Sequence, residues 1–190
     1  MRTVKEPDVR KQEILEGAIR VFAKNSYDKT TIADIARELK ISQGLCYRYF
    51  PSKEAIYDAA LEKYADMIAN DNRQIVNMDL PIRQLVDELT SNLNYRNAEK
   101  KDEGLYHLFH SENSRRMHDE LSLRVAKKVI PMVQERLRRA GERGEITVED
   151  TDAIAIFGVF SWVGIFMTEN LTDKERLKKI RFAWYQLLGL

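Results

Sequence analysis

Apolar residues recur at steps of three and four over most of the chain, a pattern that predicts helices. The first stripe lies within residues 8–24 and comprises Ile14, Leu15, Ala18, Ile19 and Phe22. Stretches of alternating polarity are nearly absent, and the best of them, residues 145–149, is too short to found a sheet. We therefore expect an all-α fold of about nine helices.

Capping residues indicate where individual helices begin. Thr31 with Asp34, and Thr172 with Glu175, have capping-box spacing, in which each side chain bonds the other residue's backbone N–H. Ser42 can cap a short third helix. Further helices are expected from Ser52 onward, from Pro81 towards residue 97, and over residues 102–110, 117–139 and 152–168. The chain thus divides into an N-terminal three-helix domain, residues 1–53, and a larger helical bundle, residues 54–190.

Composition narrows the class of protein. The 190 residues include only 8 Gly, 4 Pro and one cysteine, Cys46, which excludes an intrachain disulfide and a thiolate zinc site. The charged opening residues lack the apolar stretch of a secretory signal. The most apolar run, residues 153–167, is shorter than the roughly 20 residues of a membrane-spanning helix. We expect a cytoplasmic protein that does not enter a membrane.

Charge is distributed unevenly along the chain. Residues 1–53 hold 11 basic and 7 acidic side chains, whereas the remainder holds 20 basic and 23 acidic ones. A basic N-terminal segment followed by a mildly acidic remainder suits a protein in which only the N-terminal segment contacts a polyanion. Chance would explain the charge difference equally well. The basic residues of the first 11 positions form either an arm that contacts phosphates or a frayed terminus; they are Arg2, Lys5, Arg10 and Lys11.

Residues 30–53 have the spacing of a helix-turn-helix. Only Lys40 and Ile41 lie between the second predicted helix and Ser42, so the third helix is placed to enter a major groove. Its outer face would present Ser42, Gln43, Gly44, Leu45 and Tyr47. The side chains best placed to hold phosphates are Thr31, Tyr47, Tyr49 and Lys53.

Three of these residues have distinct roles in such a groove. Gln43 can bond an adenine edge through both of its amide atoms, and Leu45 can contact a thymine methyl. Gly44 lets the backbone approach the DNA closely. The alternative is an ordinary helical hairpin, which would leave the two exposed tyrosines and the glycine without a purpose.

The same segment resembles the signature of the TetR family of transcriptional regulators. The matching stretches are Thr30 to Ala36, Ile41 to Gly44, Tyr47 to Phe50 and Ser52 to Glu54, with residues 14–22 resembling the family's first helix. The resemblance implies a three-helix DNA-binding domain, a divergent ligand-binding domain and dimerisation through the last two helices. Two positions depart from the pattern. Lys40 stands where the family usually has Gly, and Cys46 replaces a larger core residue.

The C-terminal half is rich in aromatic side chains, most of which belong to core and dimer packing. A subset could line an apolar ligand cavity: Tyr106, Phe109, His110, Trp162 and Phe166. The helix over residues 152–168 is apolar on nearly all faces, so one face needs a partner beyond its own bundle. The residues expected at a dimer interface are Val159, Leu177, Ile180, Trp184 and Leu187.

Two weaker signals favour ordinary structural roles. His107 and His110 lie three residues apart with Glu103 one turn before, but a complete set of metal ligands is hard to assemble, so we expect no metal and no cofactor. The arginines Arg136, Arg138, Arg139 and Arg143 are expected on a solvated helix face.

Together these features predict a DNA-binding transcriptional regulator that acts as a homodimer on a pseudo-palindromic operator. A repressor released by a small, largely apolar ligand is the leading hypothesis. The alternative is an architectural or partner-recruiting DNA-bound protein that has no small-molecule effector. No nucleophile elbow, phosphate-binding glycine loop or His-Glu-x-x-His motif occurs, so an enzyme is not expected.

Overall fold

The structure, a computed structural model, describes residues 6–91, 115–168 and 170–190. These ranges contain eight α-helices and no strand. The helices are α1 (Pro7–Asn25), α2 (Ile32–Glu38), α3 (Gln43–Tyr49), α4 (Lys53–Val76), α5 (Ile82–Ser91), α6 (Arg115–Glu142), α7 (Thr151–Met167) and α8 (Asp173–Leu188). The all-α prediction is confirmed, while the helix predicted over residues 102–110 lies outside the described ranges.

The predicted helix starts are confirmed by local hydrogen bonds. Both capping boxes form, at Thr31 with Asp34 and at Thr172 with Glu175. The Ser42 hydroxyl accepts from the Leu45 backbone N–H, with 3.3 Å between Oγ and N. Because each cap satisfies a backbone donor that the helix leaves unpaired, these short-range patterns fix the boundaries without tertiary contacts.

The described residues form two compact units. The first contains residues 6–64 and 115–121, and the second contains residues 65–91, 122–168 and 170–190, so α4 and α6 have residues in both. The core of the first unit includes the whole stripe predicted on α1: Ile14, Leu15, Ala18, Ile19 and Phe22. The domain boundary predicted at residue 53 remains a prediction.

Gly17 explains how closely α1 meets the end of α2. A Cβ built at Gly17 would lie 2.6 Å from Cδ2 of Leu39, a distance that real contacts do not reach. Gly17 is thus required by the packing of Leu39 against α1, at a helix-propensity cost of about 1 kcal/mol relative to alanine. This contact holds the beginning of the turn between α2 and α3 against the first helix.

The core of the second unit is formed by α5, α6, α7 and α8. Its buried members are Ile82, Leu85, Val86, Leu137, Ala140, Ile146, Ala155, Ile180, Trp184 and Leu188. The Trp184 ring lies directly over Gly158, where a Cβ would approach Cη2 to 2.2 Å. Over the described ranges, no helix combines the length and apolarity that crossing a bilayer requires.

Burial corrects several residues predicted for the dimer interface. Ile180 and Trp184 belong to the core of the protomer itself, and Val159 is only 8% exposed. These three side chains already have partners within the chain, because α7 packs one of its apolar faces onto α8. Leu177 and Leu187 are half-buried and keep their predicted role as a proposal.

The run of four arginines on α6 and the turn after it is also not uniformly solvated. Arg138, Arg139 and Arg143 are exposed as expected, but Arg136 is buried with 6% of its surface accessible. Arg136 differs from the other three arginines because of its place on the helix. Arg136 immediately precedes the buried Leu137 on the helix face that points into the core of the second unit.

Candidate nucleic-acid interface

The turn between α2 and α3 is tight and carries one strained residue. Lys40 has a φ of 53°, in the left-handed region that favours glycine. Its N–H donates to the Arg37 carbonyl at 3.1 Å, and the Ile41 N–H donates to the Ala36 carbonyl at 2.9 Å. The unusual lysine therefore adopts the conformation expected of the glycine it replaces, at a cost of about 1 kcal/mol.

The inner side of α3 is anchored in the core. Cys46 is fully buried and Phe50, the residue that ends the helix, is 4% exposed. Burial raises the pKa of the Cys46 thiol, so the group stays neutral and serves as a small apolar side chain. With this side fixed, the rotation of α3 about its axis is determined.

The outer side of α3 consists of Gln43, Gly44, Tyr47 and Arg48, all of which are exposed. A Cβ at Gly44 would have no heavy atom within 4 Å, so the helix surface is open at this position. A helix with such a face can enter the major groove of duplex DNA, which is about 12 Å wide.

One exposed residue of this face is absent from the predicted set of contact residues, and two predicted residues are less exposed than the others. Arg48 was not predicted, although it lies two positions from the buried Cys46 and so on the opposite side of the helix. An exposed cation on a short helix was the available signal. Leu45 and Tyr49 are only half-buried, at the edges of the exposed face.

Thr31 is exposed, and its hydroxyl is already engaged at the start of α2. Its Oγ1 lies 2.6 Å from Oδ2 of Asp34 and accepts from the Asp34 N–H at 3.2 Å. Hydrogen bonds from the Thr31 side chain and backbone, with a further one from Arg37, lower the pKa of Asp34. Thr31 therefore has a structural role as a helix cap besides any contact with phosphate.

Lys53 is held by the segment that follows α1. Its Nζ donates to the Tyr27 carbonyl at 2.8 Å and lies 4.1 Å from the centroid of the Tyr27 ring. The Tyr27 ring in turn packs against those of Phe22 and Tyr57, at 5.4 and 4.6 Å between centroids. The ammonium is thus fixed at the start of α4, with further N–H donors available to a phosphate.

The basic residues near the N-terminus are less suited to an arm that contacts phosphates. Arg10 pairs with Glu13 at 2.8 Å, and Nζ of Lys11 lies 5.8 Å from the centroid of the Phe50 ring. Arg2 and Lys5 lie outside the described ranges. The helix α3 nevertheless has a face that fits a major groove. On it, Gln43 and Arg48 can donate to base edges, while Tyr47 and, at the start of α4, Lys53 can contact phosphates.

Comparison with known proteins identifies this segment. Residues 14–60 match the family model described as "Bacterial regulatory proteins, tetR family". The match to the tetR family is confined to this N-terminal segment. The match covers the larger part of α1, all of α2 and α3, and the start of α4, which are the elements that form the candidate interface.

A curated relative of this chain is an uncharacterized HTH-type transcriptional regulator, YuxN of Bacillus subtilis (strain 168). It is 47% identical over 53 residues, which are 28% of this chain and 18% of YuxN. The chain therefore spans less than a fifth of that relative's length.

Solved structures resemble the chain over almost its full length. Salmonella enterica GusR has a TM-score of 0.73 at 19% identity, covering 98% of this chain and 99% of that one. FadR from Bacillus subtilis, solved in complex with stearoyl-CoA, has a TM-score of 0.67 at 16% identity, covering 94% and 97%. At these identities the likeness shows the fold.

The residues predicted for a ligand site are only partly placed. Tyr106, Phe109 and His110 lie outside the described ranges, as does His107. Trp162 and Phe166 are half-buried and stacked, with 6.2 Å between ring centroids and 10° between planes. A cavity of about 40 Å³ lies in the second unit, but its lining residues include neither of them. Among the residues described, no group of three His, Cys, Asp or Glu side chains could hold a metal ion.

Proposed function

We propose that this chain is a TetR-family regulator that binds a pseudo-palindromic duplex DNA operator as a homodimer and represses transcription from it. The observation that carries the proposal is the exposed face of α3, with Gly44 open to solvent while Cys46 and Phe50 anchor the opposite side. A rigidly held helix with Gln43 and Arg48 on its outer face is suited to base-edge contacts. The basic excess of residues 1–53 favours the same surface through phosphate attraction.

The homodimer is supported by apolar side chains that the second unit leaves uncovered. On α7, Ile156, Phe157 and Phe160 are 42%, 68% and 44% exposed, and Phe182 on α8 is 65% exposed. Large apolar residues clustered on neighbouring helices mark interaction surfaces. We propose that these residues, with Leu177 and Leu187 beside them, meet the same surface of a second copy in a four-helix interface.

Release of the operator by a small, largely apolar ligand is the second part of the proposal. The second unit has an apolar core with a cavity within it, and a structural neighbour, FadR, is solved in complex with stearoyl-CoA. Such a ligand must favour the conformation that does not bind DNA, since equal affinity for both conformations would shift nothing. The operator should then lower ligand affinity by the same factor.

The experiment begins with selection of bound duplexes from a random library by the purified full chain. The proposal expects an inverted repeat whose half-sites are one or more helical turns apart, and an affinity that falls steeply with salt. A metabolite panel is then tested for release of the selected duplex. Failure to enrich any inverted repeat would overturn operator binding. Operator binding that no metabolite changes would instead favour the architectural alternative.

A further inference from the structure

Lys53, the first residue of α4, is held by two uncharged groups of Tyr27. Its Nζ donates to the Tyr27 carbonyl at 2.8 Å and lies 4.1 Å from the centroid of the Tyr27 ring. Lys63, by contrast, lies 2.7 Å from a carboxylate oxygen of Glu16. A carbonyl and a ring face orient an ammonium without cancelling its charge, because neither carries a net charge. Lys53 is therefore fixed in place and keeps a charge that can attract an external anion.

The turn that presents Tyr27 is strained and tightly bonded. Ser26, immediately before it, has a φ of 68°, in the region that favours glycine. The Ser26 carbonyl accepts from the hydroxyl of Thr30 at 2.7 Å, and the Tyr27 carbonyl accepts from the Thr30 N–H at 3.2 Å. Thr30 itself is only 1% exposed. An unfavourable backbone conformation persists where its surroundings determine it, and here the buried threonine closes the turn. The direction of the Tyr27 carbonyl is thereby fixed.

The ring of Tyr27 is fixed by two aromatic neighbours. It packs against Phe22, which is fully buried, and against Tyr57, which is 4% exposed. Phe22 belongs to α1 and Tyr57 to α4, so the ring lies between the helix that precedes the turn and the helix that Lys53 begins. A free lysine loses much of its rotamer freedom when it binds an anion, whereas a lysine already ordered by a ring and a carbonyl loses less.

We propose that Tyr27 is a positioning residue for DNA binding, whose ring and carbonyl hold the Lys53 ammonium where it meets a backbone phosphate. Tyr27 acts through Lys53 and needs no contact with DNA of its own. Because phosphate contacts add affinity without reading bases, Tyr27 should raise the affinity for every duplex by the same factor. The inference rests on the proposed function, since it concerns the phosphate contacts of the same interface.

The test is a double-mutant cycle on the full chain, measured by fluorescence anisotropy with the selected operator and with a duplex of random sequence. Tyr27→Leu removes the ring and keeps the carbonyl. It should weaken binding to both duplexes about two- to tenfold per bound chain, the factor expected for ordering one long side chain. In the Lys53→Ala background the same substitution should have no effect. Equal weakening in both backgrounds would overturn the proposal, because Tyr27 would then act independently of Lys53.

Two further variants separate positioning from a merely structural role. Tyr27→Phe keeps the ring and should bind both duplexes as the wild type does. The matched control is Phe22→Leu, which removes a neighbouring ring of the same cluster. It should lower the melting temperature and leave the affinity of the folded chain unchanged. If Tyr27→Leu behaves like Phe22→Leu, or if Tyr27→Phe binds as weakly as Tyr27→Leu, the ring does not position Lys53 and the proposal fails.

The salt dependence shows whether Lys53 meets a phosphate at all. Lys53→Ala should reduce the slope of log affinity against log salt concentration by about 0.9 per bound chain, the value for one lost phosphate contact. An unchanged slope would overturn the proposal, because Tyr27 would then hold a lysine that does not contact the DNA backbone.

The wild-type chain decides the question if Tyr27→Leu does not fold. Protons above a ring face resonate upfield, so the Cε protons of Lys53 should be shifted upfield in the NMR spectrum of the free chain. The shift should persist when either duplex is bound. Its loss on binding would show that the ring releases the lysine in the complex, and the proposal would be wrong.

The outcomes distinguish this inference from the proposed function. A chain that binds its operator without coupling between Tyr27 and Lys53 keeps the proposed function and loses the inference. A chain that shows the coupling on random duplex, but enriches no inverted repeat, keeps the inference and loses the proposed operator. If no duplex is bound, both are overturned.

Discussion

Replacing Gly44 by alanine should make the protein more stable and worse at binding DNA. Gly44 is the second residue of α3, and an added Cβ would have no heavy atom within 4 Å, so the substitution incurs no packing cost. Alanine should then stabilise the helix by about 0.5–1 kcal/mol, because it loses less backbone entropy on folding. For a chain of this size, 1 kcal/mol corresponds to about 2–4 °C in melting temperature.

The same methyl group should keep the recognition helix away from the groove floor. Loss of one base contact costs about 1–3 kcal/mol, so affinity for the selected operator should fall about tenfold or more. The assay combines thermal unfolding with fluorescence anisotropy on the operator duplex. Gly141→Ala is the matched control. Gly141 is also helical, with nothing within 4 Å of an added Cβ, and lies in the last turn of α6.

The two variants together distinguish the possible errors. Gly141→Ala should raise the melting temperature without changing operator affinity. If Gly44→Ala raises the melting temperature and leaves operator affinity intact, the backbone at this position does not lie against DNA, and the orientation of α3 in the groove is wrong. If it lowers the melting temperature instead, the position is not as open as the geometry indicates.

Five further substitutions test the rest of the interface, the assembly and the cap of α2. Gln43→Ala should cost about 1–3 kcal/mol on the operator and much less on random duplex, whereas Lys53→Ala should weaken both alike and also lower the melting temperature through its bond to Tyr27. Phe157→Asp, at an exposed position, should yield folded monomers by analytical ultracentrifugation, whereas Trp184→Asp, in the core, should unfold the second unit. The lowered pKa of Asp34 gives stability that is fully present above its ordinary value of 3.8 and is lost as the pH falls below it, so acid titration should affect Asp34→Asn less than the wild type.

Sequence reasoning correctly predicted those features that depend only on a few neighbouring residues. The capping boxes and the buried stripe of α1 depend on neighbours within one or two turns, and both are found in the structure. Local patterns thus determine both helices of the candidate interface and the turn between them.

The incorrect predictions concern which partner covers a given helix face, and not where a helix begins and ends. Helix α7 is apolar on all sides, so its sequence does not show which side meets α8 and which is left exposed. Val159 and Trp184 were therefore assigned to a partner although they pack within the protomer. Arg136 was placed in solvent because it belongs to a run of arginines near a helix end, and within that run Arg138 and Arg139 are exposed whereas Arg136 is buried. Such distinctions depend on long-range packing.

Because Cys46 is completely buried, the reaction of its thiol with a reagent reports local opening of the structure. The sequence contains no other cysteine, so a thiol reagent can react at one position only. Because that thiol is inaccessible within α3 and its raised pKa keeps it protonated, modification requires the helix to detach transiently from the core. The rate of labelling therefore measures how often the recognition helix opens, without any engineered probe. A bound duplex that clamps α3 should slow this rate, which would relate DNA binding directly to the dynamics of a single helix.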